Sequence, residues 1–360
     1  MASAPTDRIP KHTAVLPFVG LVVAVALGSP ELGMMSLVLA AALIANVVAA
    51  VHHAEVVAIR VGEPYGSLIL ALSVTVIEVG LIVSIMLSGE PKPALLRDTV
   101  HAVVMLVLHG LAGICIVIAA LKHRTVEFRV EGTSAFLAVL LPMAVLVLVV
   151  PNHVISAPGP YYTLLQLGFV SLACLGLYAA FLFIQTHWHK DYFLLAADAP
   201  QTGSLPRPSA RIALISFALL VVALLAVVLL AKALAPSIAG GVAVVGAPVA
   251  IIGVIIAAIV LLPETAAAMR AAARNRLQSS LNLALGSVVA CIGLSVPVLA
   301  VVSYMTGVPL QLGISDGSSV LLMLGFAVAM ITYGTGSTTL LAGIVHLVLF
   351  ATYIFSVFAP

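Results

Sequence analysis

The sequence predicts an all-α integral membrane protein of about eleven transmembrane helices: one N-terminal helix followed by two inverted five-helix repeats. Three observations carry that expectation. Hydrophobic residues make up 63% of the chain and charged residues only 8%, where soluble domains carry about 25% charged residues. Apolar runs long enough to cross a bilayer as helices, about 20 residues each, recur from one end to the other. The longest polar interruption falls after the sixth run and leaves five on each side once the first is set aside.

In order, the runs cover residues 13–27, 33–58, 66–87, 99–121, 134–150, 161–184, 212–234, 241–269, 279–305, 318–333 and 337–358. All read as helices, because a helix satisfies its own backbone groups where lipid offers none. The first follows the polar start "MASAPTDRIPKH". It reads as a retained helix, since no clear small-x-small cleavage site precedes a polar mature start. Cys115, Cys174 and Cys291 each stand alone in an apolar run and read as small buried hydrophobes rather than disulfide or metal partners.

The expected organisation is a tail and first helix over 1–32, a five-helix repeat over 33–185, a cytoplasmic linker over 186–211 and a second five-helix repeat over 212–360. An odd number of helices per half turns the second half upside down, the layout of an inverted-repeat transporter. A rough internal repeat fits: Gly66 to Gly246 is a shift of 180, Thr99 to Asn282 of 183 and Tyr161 to Ser337 of 176. With eleven spans, 12 of the 15 lysines and arginines share a side with the N-terminus, leaving Lys92, Arg97 and Lys232 opposite. The positive-inside rule then makes the N-terminus cytoplasmic and the C-terminus external. No basic block accompanies the net charge of +2, which argues against a nucleic-acid partner. Membrane lipid is an expected partner; the oligomeric state is left open, and no cofactor is expected.

Two intramembrane acids point to function. Glu78 lies in "LSVTVIEVGLIV" and Glu264 in "IVLLPETAAAM", a shift of 186 that matches the repeat. A carboxylate at bilayer depth costs about 2.5–3.5 kcal/mol on insertion scales, so such residues face an interior and mark ion paths. Thr75, three residues before Glu78, shares its helical face. Asn282, Gly286 and Ser287 in "SLNLALGS" add two oxygen donors and a glycine. Oxygen-only donors suit hard cations such as Ca²⁺ or Na⁺. Pro263 and Gly66 can interrupt helices and free carbonyls for the same purpose.

The stretches "VGEPYGSLILALSVTVIEVGLIVSIML", "LLRDTVHAVVM", "QTHWHKDYF", "LLPETAAAMRAAARNRLQSSLNLALGSVVACIGLSVP" and "TGSTTLLAGIVHLVLF" closely resemble the ChaA-type proton/cation antiporters, a bacterial branch of the Ca²⁺/cation antiporter superfamily. The resemblance runs from about His52 to the end. It implies ten core helices in two inverted halves, often with an extra N-terminal helix, and one ion-site glutamate per half, matching Glu78 and Glu264. It also implies exchange of Ca²⁺, and in this branch Na⁺ or K⁺, for protons. One departure stands out: the wider family has Gly-Asn-x-x-Glu around each glutamate, and the asparagine positions here hold Thr75 and Leu261. The second site thereby loses a side-chain oxygen, which keeps monovalent cations in play.

The expected function is therefore alternating-access exchange of cytoplasmic cations, Ca²⁺ first, for protons at a two-glutamate midmembrane site, with Glu78 and Glu264 as the metal ligands. A mainly Na⁺ or K⁺ antiporter is the alternative. His53 and Glu55 in "VHHAEVV" are candidates for proton entry or pH sensing. With His52 they also raise a distant alternative, an intramembrane metalloenzyme, but no His-Glu-x-x-His pattern supports it. Arg97 and Asp98 read as an interfacial ion pair, His109 and His346 as packed histidines, and "HWH" at 187–189 as a juxtamembrane anchor.

Overall fold

The structure, a computed structural model, describes residues 9–30, 32–62, 65–87, 92–193 and 207–359. It is nearly all helical. In chain order the helices are α1 (Lys11–Leu27), α2 (Met34–Val61), α3 (Tyr65–Met86), α4 (Leu95–Met105), α5 (Ala112–His123), α6 (Val130–Leu148), α7 (Leu164–Phe183), α8 (Ala210–Val245), α9 (Ile251–Val260), α10 (Leu262–Ala273), α11 (Leu277–Thr306), α12 (Asp316–Tyr333) and α13 (Leu340–Phe358). A π-helical turn, Leu106–Leu111, joins α4 to α5 without a break in the rod. Strands β1 (Thr125–Glu127) and β2 (Ser337–Thr339) pair antiparallel, Val126 opposite Thr338.

Among the described residues nine helices are long and apolar enough to cross a membrane. The pair α9 and α10, bent by 60°, makes a tenth span. The first apolar run of the sequence is the shorter α1, 17 residues. The polar ends of the helices are stitched locally. Thr163 and Gln166 form a capping box before α7, while Ser209 and Ser315 accept the first-turn amides of α8 and α12.

The seventh and eighth runs differ from their expected bounds. Helix α8 continues to Val245, 11 residues past the expected end at 234 (245 − 234), and Gly246 closes it in the left-handed conformation at φ 66°. The next span therefore starts at Ile251 rather than 241 and breaks at Leu261. Pro263 is the physical cause: it lacks an N–H, and its ring excludes a regular turn before it.

The chain divides into two compact units, one of residues 1–92 and 200–249, the other of 93–199 and 250–360. In the first, α2 packs on α1, α3 and α8, and α8 also meets α1 and α3. Close approaches there depend on missing side chains: a Cβ at Gly66 would stand 2.6 Å from the Ala58 carbonyl oxygen, and one at Gly80 2.7 Å from Val228. In the second unit, the rod of α4, the π-helical turn and α5 is the most enclosed span, 78% buried within the protein. It packs against α9, α10, α11 and α13.

Candidate functional site

Glu78 sits in α3, which runs unbroken from Tyr65 to Met86, with Gly66 in its first turn. Its side chain is 1% exposed. Thr75, one turn earlier, is also buried, and its hydroxyl donates to the Ala71 carbonyl at 2.9 Å. That bond uses the hydroxyl hydrogen and leaves oxygen lone pairs for a cation.

Glu264 has a different setting. It stands in the first turn of α10, directly after the 60° bend, with Leu261 buried at the bend itself. The amino end of a helix carries partial positive charge and stabilises a carboxylate there. Helices α10 and α11 form a hairpin around Asn275, whose φ of 59° suits asparagine. Glu264 lies 11 residues before Asn275 (275 − 264) and Gly286 11 after it (286 − 275). At about 1.5 Å per residue the two stand at the same depth, roughly 16 Å from the turn. Gly286 and Ser287 are half-buried at that level. Beside the first turn of α10 lies an apolar cavity of about 230 Å³, lined by Leu262 and Thr265 together with Leu106, Gly110 and Phe350.

Asn282 is one turn nearer the hairpin turn, and its amide is engaged. Nδ2 donates to the Phe193 carbonyl at 2.6 Å, and Oδ1 accepts from Gln278 Nε2 at 2.9 Å. Gln278, fully buried, was not legible as a functional residue; its spacing of four from Asn282 on one helix face is the signal that marks it.

The "VHHAEVV" residues spread apart. His53 is fully buried, and its Nε2 lies 3.0 Å from the Thr13 carbonyl oxygen. A carbonyl only accepts, so Nε2 carries the hydrogen and ties α2 to α1. Glu55 is exposed on another face of α2. Among the described residues no three His, Cys, Asp or Glu side chains gather as a metal cluster. Arg97 Nε donates to Asp98 Oδ1 at 2.8 Å, the ion pair expected from the sequence, and Arg97 also reaches the Gly313 carbonyl at 3.2 Å. Trp188 is exposed beside Phe183, which suits an anchor at a membrane edge.

The polar geometry thus offers two carboxylates on apolar helices, a buried one on a continuous helix and a half-buried one at a helix break. The family described as sodium/calcium exchanger protein matches residues 31–187 and 215–359. The chain belongs to that family. Among relatives of this exchanger-family chain, the putative ionic transporter y4hA of Sinorhizobium fredii is 43% identical over 356 residues, spanning 96% of each protein. The sodium-potassium/proton antiporter ChaA of Escherichia coli is 34% identical over 359 residues, spanning 98% of this chain and 97% of that protein. Two solved structures share the fold. Native YfkE has a TM-score of 0.73 at 18% identity, covering 97% of this chain and 100% of its own. The H⁺/Ca²⁺ exchanger CAX has a TM-score of 0.71 at 14% identity, covering 95% and 86%. The exchanger-family chain is a multi-pass membrane transporter, a cation antiporter of the Ca²⁺/cation antiporter superfamily and not an enzyme.

Proposed function

We propose that this protein moves cytoplasmic cations outward across the bacterial inner membrane in exchange for protons, with Glu78 and Glu264 as the carboxylates that carry either. The observation that carries the reading is Glu78, 1% exposed within an unbroken apolar helix of 22 residues. A charge so placed is costly unless a cation or a proton neutralises it. If the carrier changes access only when both carboxylates are neutralised, cation and protons compete for the same groups and exchange becomes obligatory. Thr75, Gly286 and Ser287 support the two acids with a hydroxyl each from Thr75 and Ser287 and with close backbone approach at Gly286. His53 and Glu55 belong to proton entry or pH sensing. The inverted arrangement of the two five-helix repeats supplies the two access states.

Ca²⁺ is the first substrate of this reading. Two carboxylates supply up to four oxygens and two charges, which balance one Ca²⁺ against two protons. A second reading, exchange of Na⁺ or K⁺, is favoured by Leu261. That buried apolar side chain stands where the wider family has an oxygen, and the relative at 34% identity is named a sodium-potassium/proton antiporter.

The test is dissipation of a fluorescently monitored pH gradient in everted vesicles, with Ca²⁺, Na⁺ and K⁺ added separately. At least one ion restores the fluorescence if the reading is right, and the ranking chooses between its two forms. No response to any of the three would contradict it.

A further inference from the structure

The turn Lys190–Phe193 is held by a directed chain of amides. The Arg129 backbone N–H donates to Gln278 Oε1 at 2.6 Å, Gln278 Nε2 donates to Asn282 Oδ1 at 2.9 Å, and Asn282 Nδ2 donates to the Phe193 carbonyl at 2.6 Å. Both ends fix the direction. A backbone N–H only donates and a carbonyl only accepts, so neither amide can be turned round without setting like against like. Gly132 lets the turn close: a Cβ there would collide with the Tyr192 carbonyl oxygen and crowd Gln278 Nε2 at 3.2 Å.

Apolar packing continues what the amides begin. Phe193, 4% exposed, packs its ring against Phe136 and Phe181, at centroid distances of 5.4 and 5.8 Å, and those two rings lie 4.8 Å apart. The Phe136 ring then forms the wall beside Gly286, with Cε1 3.7 Å from where a Cβ would stand. Phe193 therefore reaches Gly286 through one fully buried ring.

We propose that Gln278 and Asn282 are positioning residues for the exchange reaction: they clamp the Lys190–Phe193 turn, and through the Phe136 wall they set where Gly286 and Ser287 stand at the depth of Glu264. The proposal rests on the exchange reading for its transport consequence. The clamp itself is testable without transport.

Two variants isolate it. Asn282→Asp and Gln278→Glu each keep an oxygen acceptor and remove the N–H that passes the chain onward, so each sets a carboxylate against an acceptor. In hydrogen–deuterium exchange of the purified protein, amides of the Lys190–Phe193 segment should exchange faster by about two- to tenfold in either variant, the factor one hydrogen bond is worth. Amides in the middle of α6 and α7 serve as the folded reference. In vesicles, turnover should fall by a similar factor of about two to ten while the half-saturating cation concentration stays within about twofold, and the double variant should be no worse than the worse single one. If Asn282 were a cation ligand, the added carboxylate of Asn282→Asp would shift the half-saturating concentration while Gln278→Glu left it alone. That result, or unchanged amide exchange in both variants, would overturn the clamp.

Discussion

Glu78 and His53 are both buried polar side chains on long apolar helices, and sequence pattern alone treats them alike. What the structure adds is long-range: the His53 ring bonds a carbonyl 40 positions away that no local pattern reveals. A longer separation in sequence, 237 positions, hides the pairing of His109 and His346. Each reads as a lone packed histidine, yet their Nδ1 atoms lie 2.9 Å apart, and His346 Nε2 lies 3.1 Å from Thr332 Oγ1. With His109 Nδ1 donating to His346 Nδ1, and His346 Nε2 donating to Thr332, each ring N–H has a partner. The reverse tautomers turn His109 Nε2–H toward Gly325, where a Cβ would collide with that nitrogen. Removing one ring strands a buried polar nitrogen, so His109→Ala should cost about 1–3 kcal/mol. Replacing both rings with leucine should cost less than the sum of the single changes. Thermal unfolding of the purified variants in detergent reads both quantities. Glu78 itself was legible because acids are rare in lipid-length runs, whereas Gln278 was not, because a buried amide is ordinary until its partners are known.

At the scale of helices, the order of the runs and the break at Pro263 were legible, the latter because proline acts on its own backbone neighbourhood. The π-helical turn Leu106–Leu111 was not: its sequence, "LVLHGL", is as apolar as its flanks. Its tertiary contacts, such as Gly110 against the Phe350 ring, where a Cβ would stand 3.2 Å away, leave no local mark in the sequence. Tight helix crossings are hidden for the same reason. At Gly253, where α9 crosses α4, a Cβ would lie 2.6 Å from the Asp98 carbonyl carbon and 2.7 Å from the Thr99 nitrogen. Backbone cannot step aside as a side chain can. Gly253→Ala should therefore destabilise the protein by about 1–3 kcal/mol. Gly176→Ala, in α7 with nothing within 4 Å of the added carbon, should be neutral or stabilising by about 0.5–1 kcal/mol. Equal melting temperatures for the two variants would contradict the crossing geometry.

For the whole molecule, charge asymmetry makes a prediction of orientation. Twelve of 15 basic residues share the N-terminal side of an eleven-span layout, so a green fluorescent protein fused after Pro360 should stay dark, being exported unfolded, while an exported enzyme reporter at the same place is active. Bright fluorescence would reverse the topology. The compact units were less legible than the span order. Each takes segments from both sides of the central loop, with α8 joining α1 to α3 in one and α4 to α7 joining α9 to α13 in the other, and contacts between distant helices leave no mark in a hydropathy pattern. The account as a whole claims that cation and proton compete for Glu78 and Glu264. The most direct test is proton release when cation is added to the purified, weakly buffered protein, followed with a pH indicator. Wild-type protein should release protons on addition of its transported cation, with less release as the starting pH rises and the carboxylates are already deprotonated; Glu78→Gln and Glu264→Gln should each remove most of that release. Full wild-type release from a folded Glu78→Gln variant would place the exchanging protons elsewhere and contradict the account.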